Sequence, residues 1–288
     1  MPRRRTDPPR PAPWRGEVDC GVAEIVPDPD RPYAAELFLN GSPQSHVDLA
    51  EPTYLAYEYV RHIADVLDVS FPDGAAIDVL HLGGGALTLP RYVAATRRGS
   101  RQRVVELDAA LVALVREALP PDPALRLRVS TGDARAALDR SRQRSHDAVV
   151  VDVYAATRMP ARIACRECLA AAREVVRPGG VVVMNLADGR PLAFARSMAA
   201  TAADVFPHVG IAAEPGTWRG RRFGNLVLVG AHTAPPWDTL GRRLAGGPFP
   251  ARLVTGDDLA RFTAGAPVVR EADAEPSPEP PRGAFDRR

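Results

Sequence analysis

The residues best suited to chemistry in this sequence are acidic side chains that follow apolar stretches, together with a run of glycines. Gly83, Gly84 and Gly85 directly follow the mainly apolar stretch Val79-Leu80-His81-Leu82, and Glu106 ends a second apolar stretch about 20 residues later. A carboxylate at this distance beyond a glycine-rich strand-to-helix turn can reach the two hydroxyls of a ribose. Glycines let a ligand approach the backbone because they carry no Cβ atom. The pattern therefore predicts a site for a nucleoside-containing cofactor.

The glycine motif also bears on which nucleoside cofactor fits. Residues 83–86 read Gly-Gly-Gly-Ala, whereas dinucleotide sites that hold a pyrophosphate typically read G-x-G-x-x-G. We therefore favour S-adenosylmethionine or a relative of it. Three glycines after a strand are also compatible with a plain structural turn, and Glu106 is the residue that favours nucleoside binding.

Two further carboxylates, Asp133 and Asp152, also follow apolar stretches. Ligands of open α/β sheets bind beyond the carboxyl ends of the strands, so these acids are expected to meet Glu106 in one crevice. Helix capping is the alternative role. Asp108 precedes the helix predicted to begin at residue 109 and is a better N-cap than Glu106, and Asp133 could cap the helix that begins at Ala134. Asp152 precedes no clear helix, so we expect it to accept a proton from an amine nucleophile or to hold that amine electrostatically.

The elements that must position these residues alternate between strand and helix. Apolar runs predict strands at 77–82, 103–107, 125–130, 148–153 and 181–186, with helices at 90–96, 109–119, 134–140, 162–176 and 192–204. Such alternation is typical of a parallel sheet covered on both faces. Two later runs, 205–211 and 225–229, are expected to pair antiparallel at the sheet edge. The predicted fold class is α/β, with a class I methyltransferase-like (Rossmann-like) sheet and a small N-terminal β unit.

The domain boundaries follow from shifts in composition. Residues 1–15 are basic and proline-rich and predict a disordered tail, and residues 16–50 predict a β-hairpin unit because Asn40-Gly41 follows an alternating apolar run. Residues 51–235 form the predicted main domain, which begins with a helix at 54–67. Residues 236–270 are interpreted as a C-terminal extension with a short helix at 257–262, and residues 271–288 as a second disordered tail.

Composition excludes several classes of function. The net charge of +2 gives no reason to expect nucleic acid, and no apolar run approaches the ~20 residues of a membrane span. With no signal-peptide pattern, we expect a cytoplasmic protein. The sequence has no lysine, which excludes a lysine nucleophile. The pair Cys165-x-x-Cys168 lies in a helical pattern without partners for zinc, and the six histidines are scattered, so no metal site is predicted.

The order of these motifs resembles the spermidine synthases, which are polyamine aminopropyltransferases. The resemblance covers about residues 20–230 and rests on residues 39–44, the glycine turn, and residues 105–108, 132–134, 151–152 and 224–229. It implies a homodimer that binds decarboxylated S-adenosylmethionine and transfers its aminopropyl group to a small-molecule amine. It also implies that Gln44 contacts the co-substrate, Glu106 its ribose and Asp133 its adenine, while Asp152 activates the amine. The remaining implied co-substrate contacts are Gly83, Gly84, Gly85, Asp108 and Ala134.

The sequence departs from the family pattern at the amine-binding positions. Ala86 and Ala155 stand where the family carries aspartates, and a His-Glu pair of the family appears as Tyr57-Glu58. Tyr57, Glu58 and Tyr154 are therefore the predicted substrate contacts, and Asp188 is a further candidate to replace the missing charge. Without an aspartate at 86, intact S-adenosylmethionine is an alternative, with Arg91 as partner for its carboxylate. Two other functions therefore stay open: a methyltransferase, and a nucleoside-binding protein without catalysis.

Overall fold

The N-terminal unit is a four-stranded antiparallel sheet. The computed structural model describes residues 7–281 and 283–284, and the first part of the predicted N-terminal tail, residues 1–6, lies outside them. Strands β1 (Trp14–Val18), β2 (Gly21–Pro27), β3 (Ala34–Leu39) and β4 (Ser42–Asp48) pair in sequence order. The predicted Asn-Gly hairpin connects β3 and β4, with φ angles of 52° at Asn40 and 76° at Gly41, because both residues tolerate the left-handed conformation that this tight turn requires. Strand β1 was not predicted and begins inside the stretch interpreted as a tail.

The main domain is built on an eight-stranded sheet that confirms the predicted α/β class. Strands β5 (Asp78–Leu82), β6 (Arg101–Glu106), β7 (Leu127–Thr131), β8 (His146–Val151) and β9 (Val176–Asp188) pair in parallel. Strands β10 (His208–Ala213), β11 (Gly224–Ala231) and β12 (Arg252–Thr255) complete the sheet with antiparallel pairing. The strand order is β12-β10-β11-β9-β8-β5-β6-β7. The predicted antiparallel pair is therefore present, but β12 and not β10 is the edge strand.

Helices cover both faces of this sheet, and apolar side chains fill the space between them. Residues of α1, α2 and α8 pack on one face and residues of α4, α5, α6 and α9 on the other. The N-terminal sheet packs mainly against α3 and β6 through a third apolar cluster. The helices are α1 (Glu58–Ser70), α2 (Thr88–Thr96), α3 (Ala109–Ala118), α4 (Ala134–Asp139), α5 (Arg166–Val175), α6 (Ala193–Val205), α7 (Pro215–Trp218), α8 (Trp237–Gly246) and α9 (Gly256–Thr263).

The C-terminal part of the chain is more integrated than the sequence suggested. Residues 236–270 were interpreted as an extension, yet they supply α8, β12 and α9 of the main domain. Residues 271–288 were predicted to be a disordered tail, of which residues 282 and 285–288 lie outside the described residues. Within this segment, Pro276 and Ser277 form hydrogen bonds with the loop that follows β8. Ser277 is fully buried, its backbone N–H donates to the Met159 carbonyl at 3.0 Å, and its Oγ accepts from the Met159 N–H at 2.8 Å. These backbone bonds fix a proline-rich segment that composition alone marks as unstructured.

Over the part of the chain that the structure describes, no helix is long and apolar enough to cross a bilayer.

Candidate functional site

The candidate site is a cavity of about 360 Å³ at the carboxyl ends of the parallel strands. Apart from Arg91 and Asp188, every residue that the sequence analysis assigned to the site contributes to its lining. Strand β4 of the N-terminal unit supplies Gln44, and the start of α1 supplies Tyr57 and Glu58. The strand ends and following turns supply Gly83, Gly84, Gly85, Glu106, Asp108, Asp133, Ala134, Asp152 and Tyr154. The cavity therefore lies at the position that the topology of an open α/β sheet favours for ligands.

The glycine turn brings the end of β5 into contact with the end of β8. Gly83 has a φ of 91°, and a Cβ atom there would lie 2.0 Å from the backbone oxygen of Asp152. Gly85 has a φ of 47°, and a Cβ atom there would lie 2.4 Å from the Ser45 Oγ atom. Gly83 thus requires a residue without a side chain, because its backbone conformation and the Asp152 backbone each exclude one, whereas at Gly85 a side chain would meet only the Ser45 hydroxyl.

Glu106 is held in place by three backbone N–H groups. Its Oε2 atom accepts from Gly84 at 2.8 Å, and its Oε1 atom accepts from Leu107 at 2.8 Å and from Asp108 at 3.2 Å. Each carboxylate oxygen can accept two hydrogen bonds, so Oε2 retains capacity for a hydroxyl donor. The side chain is half-buried and lines the cavity. The geometry therefore fixes a carboxylate whose remaining acceptor capacity suits a ribose.

Asp108 and Asp133 both act as helix caps. Asp108 accepts from the Leu111 N–H at 2.7 Å, and also from the backbone N–H groups of Asp19 and Cys20 in the N-terminal unit. Because Asp108 is buried and its oxygens are occupied, this geometry favours a structural role over the predicted contact with a co-substrate. The Asp133 side chain accepts from the Ala136 N–H at 2.8 Å, its one hydrogen bond within the described part of the chain, and Asp133 is exposed. It therefore combines capping with acceptor capacity directed at the cavity.

Asp152 is a half-buried carboxylate with two side-chain partners. The Asn185 Nδ2 atom donates to its Oδ1 atom at 3.0 Å, and the Tyr59 hydroxyl also forms a hydrogen bond with it. Burial raises the pKa of Asp152 above the usual value, the two hydrogen bonds oppose that shift, and nearby Glu106 adds to it. Asn185 is buried in β9, and its Oδ1 atom has no hydrogen-bond partner among the described residues. A carboxylate and an amide oxygen are thus both available to a donor in the cavity.

Aromatic rings and a second carboxylate line the cavity beside Asp152. The Tyr57 hydroxyl donates to Glu36 at 2.6 Å, and the Tyr154 hydroxyl donates to the Asn185 carbonyl at 3.1 Å. Glu58 accepts from Asn225 Nδ2 at 3.2 Å. Carboxylates and aromatic faces both stabilise cations. This end of the cavity is therefore suited to a positively charged group.

Two residues proposed from the sequence have other roles. Arg91 was suggested as a partner for a carboxylate in the site, but it is buried and donates to the backbone carbonyls of Ala86, Leu119 and Pro120. Burial lowers the pKa of its guanidinium to about 10. Asp188 was suggested as a replacement amine anchor, but it accepts from the backbone N–H groups of Gly189 and Ala195 at the start of α6. Neither residue lines the cavity.

Comparison with known structures decides the family. A probable spermidine synthase from Corynebacterium glutamicum superposes with a TM-score of 0.83 at 32% sequence identity, over 90% of this chain and 96% of that one. The chain belongs to the spermidine synthase family. No family model and no curated protein matches the sequence at a significant level.

More distant structures show the same fold as this spermidine synthase family member. A spermidine synthase in complex with the transition-state analogue AdoDATO has a TM-score of 0.61 at 16% identity, covering 82% of this chain and 79% of that one. Human methyltransferase-like protein 13 in complex with SAH has a TM-score of 0.52 at 18% identity, covering 73% of this chain and 93% of that one. At these identities the likeness shows the fold alone, and it agrees with the predicted methyltransferase-like sheet.

The structure shows the surroundings of Ala86 and Ala155, the two positions at which this spermidine synthase family member lacks the aspartates of the family pattern. Ala86 is fully buried and its N–H donates to Ser45 Oγ at 3.2 Å, whereas Ala155 is exposed on the cavity wall. The acid Glu58 accepts a hydrogen bond from Asn225 of β11, and the acid Asp152 accepts one from Asn185 of β9.

Sequence reasoning missed several lining residues. Asn185 was counted within an apolar strand, although a lone amide inside such a run is an outlier that could have indicated a site. Tyr59 falls within the first predicted helix, 54–67, and received no site role, yet it lines the cavity and its hydroxyl forms a hydrogen bond with Asp152. Arg162 is the one cationic side chain among the described lining residues besides histidine, and it follows no recognisable motif.

Proposed function

We propose that this protein is an aminopropyltransferase that uses decarboxylated S-adenosylmethionine and a small-molecule amine. The observation that carries the proposal is the half-buried Asp152, which faces a cavity that also contains the glycine turn and Glu106. Membership of the spermidine synthase family and the complex of a related fold with AdoDATO support it. The arrangement provides a nucleoside site and a cation site within one cavity of suitable volume for a small ligand.

The proposed chemistry is a direct displacement at carbon. The amine nitrogen forms a bond to the carbon next to the sulfonium, the C–S bond breaks, and sulfur leaves as a neutral thioether of the nucleoside. The attacking amine must lose a proton, and Asp152 is positioned to accept it, with Asn185 and Tyr59 fixing its orientation. A raised pKa makes this carboxylate a stronger base than an exposed aspartate. Holding both reactants in one cavity supplies the proximity that the reaction needs.

Methyl transfer from intact S-adenosylmethionine is the second candidate. The observation that favours it is the apolar Ala86 beside the glycine turn, since an aspartate there would repel the carboxylate of the intact cofactor. Calorimetric titration with both forms separates the candidates. Preference for the decarboxylated form, followed by aminopropylated product detected by mass spectrometry, supports the first. Preference for the intact cofactor favours the second, and binding of neither contradicts both. The homodimer and the cytoplasmic location remain predictions.

Replacement of Glu106 tests the nucleoside site. We expect Glu106→Gln to weaken binding of decarboxylated S-adenosylmethionine by about 10- to 100-fold, because hydrogen bonds to a charged group contribute about 1.5–3 kcal/mol. The amide also places a donor where Gly84 donates at present. Calorimetry measures the change. Glu117→Gln is the matched control, since Glu117 is exposed on α3, and an equal loss in the control would contradict the assigned role.

A further inference from the structure

A second cleft lies at the end of the sheet opposite the candidate site, where β5, β6 and β7 begin. Asp78 is the one acidic residue among its described lining residues. We call it the basic cleft, because it is lined by Arg101, Arg103, Arg126, Arg128, Arg142, Arg144 and Arg177, together with Gln102, Gln143, Ser145 and His146. Four separate stretches of chain therefore contribute arginines to one concave surface.

Two of these arginines have acidic partners. Arg101 binds Asp78 through two hydrogen bonds of 2.8 Å, and Arg177 binds Asp78 at 2.8 Å and Asp147 at 2.6 Å. The Arg101 guanidinium, with Arg177, lowers the pKa of Asp78 to about 2, so this carboxylate stays charged. Arg101 and Arg177 are thus structural ion-pair partners and contribute little free charge to the cleft.

The other five arginines have no acidic partner within 4.0 Å in the described part of the chain. Arg103 and Arg128 are also register partners on the neighbouring strands β6 and β7. Like charges directly opposite each other in a sheet are destabilising. Arg144 adds a backbone with a φ of 51°, in the left-handed region that side chains rarely adopt. Electrostatic repulsion and a left-handed backbone conformation therefore both occur where these five arginines lie.

Protection of the sheet edge explains only part of this arrangement. β7 is an edge strand, and charged side chains on an edge discourage pairing with other chains. That reason covers Arg128 in β7 and Arg126, which directly precedes the strand. It does not cover Arg103, which is half-buried on the interior strand β6, or Arg142 and Arg144, which lie in the loop before β8. A ligand that neutralises all five charges accounts for the whole set.

We propose that the basic cleft binds a compact polyphosphate, either free or as the triphosphate of a nucleotide. Several guanidinium groups around one concavity match a ligand with several adjacent negative charges, because each guanidinium can bind phosphate oxygens through paired hydrogen bonds. The described lining contains no Phe, Tyr or Trp, so it lacks the stacking surfaces with which proteins hold single-stranded nucleic acid. Recognition therefore depends on the phosphates alone.

Titration with inorganic triphosphate tests the proposal without engaging the nucleoside site. We expect saturable binding by the full-length protein at low salt, weakened at least tenfold in the double variant Arg103→Gln/Arg128→Gln and weakened again as salt screens the charges. The matched control is Arg219→Gln/Arg242→Gln, which removes the same charge from exposed positions outside both cavities. The control should bind as the unaltered protein does.

The midpoint of thermal unfolding shows whether the double variant loses triphosphate binding because it is misfolded. Since Arg103 and Arg128 repel each other, their replacement is expected to leave the midpoint unchanged or higher without ligand, and to remove the increase that triphosphate produces in the unaltered protein. If ATP also raises the midpoint, and the double variant loses this effect, the natural ligand is the triphosphate of a nucleotide. If inorganic triphosphate raises the midpoint and ATP does not, the natural ligand is a free polyphosphate. Absence of triphosphate binding, equal loss in both double variants, or a hundredfold preference for a single-stranded oligonucleotide would overturn the proposal.

Discussion

Asp152→Asn is expected to lower kcat/KM for aminopropyl transfer by about 10²–10⁴-fold, the range for loss of a positioned general base. Asparagine keeps the size of the side chain and can accept from Asn185 or Tyr59, but it cannot take a proton from the amine. Because the lost step is proton transfer, kcat should fall much more than the affinity for the nucleoside co-substrate. Steady-state kinetics with mass-spectrometric detection of the product measures the change.

The pH dependence gives this prediction a second readout. Burial raises the pKa of Asp152, so the carboxylate becomes an effective proton acceptor only above the usual aspartate range. We expect activity to rise with pH through that raised pKa, and this acidic limb to disappear in Asp152→Asn. A folded pKa above the unfolded value also means that ionised Asp152 destabilises the native state as pH rises. The variant should therefore be at least as heat-stable at pH 7 as the unaltered protein.

Asp257→Asn provides the comparison for this substitution. Asp257 is exposed in the first turn of α9 and lines neither cavity, so the same chemical change there should leave transfer unaltered. Transfer at normal rates by Asp152→Asn would refute the assigned role of Asp152. A loss of activity that comes with a lowered thermal midpoint would contradict the expectation that only chemistry is affected.

Gly83→Ala has the second-largest expected effect. A Cβ atom at Gly83 would lie 2.0 Å from the Asp152 carbonyl oxygen, in a backbone conformation with a φ of 91°. We expect a loss of about 2–5 kcal/mol in the free energy of unfolding, from left-handed strain and overpacking together. Since relief of the clash must displace either β5 or the backbone of Asp152, transfer should fall as well. Denaturant titration and kinetics measure the two effects.

Gly74→Ala is the control variant that measures backbone strain without a steric clash. Gly74 also has a positive φ, of 66°, but nothing lies within 4 Å of a Cβ atom placed there. Its replacement should cost about 1–2 kcal/mol and leave kinetics intact. If the two alanine variants lose equal stability and both retain full transfer, the contact between β5 and β8 has no importance for the site.

Local sequence patterns were sufficient to predict the parts of the site that follow strand ends. Gly83 and Glu106 were identified because a glycine turn and an acid at a fixed separation are a local signal, and the sheet topology then brings them together. Asn185 and Tyr59 were missed because their orientation toward Asp152 depends on the register of β9 and the rotation of α1. Neither quantity is encoded in a short stretch of sequence.

The incorrect predictions concern residues whose partners are distant in sequence. Arg91 was suggested for a ligand carboxylate, but its partners include carbonyls at positions 119 and 120, which no spacing rule identifies. Strand β12 was missed because its four residues become a strand only by pairing with β10. The segment 271–281 was predicted to be disordered from its composition. Composition gives no information on its hydrogen bonds to the loop after β8, which is distant in sequence.

That last contact connects the C-terminal segment to the wall of the cavity. Met159 is fully buried, and both of its backbone polar groups are satisfied by Ser277, more than 100 residues away. The same loop carries Tyr154 and Ala155 on the cavity wall. Detachment of the C-terminal segment would break both hydrogen bonds of Met159, so any movement of this part of the wall carries an energetic penalty set by residues outside the cavity lining.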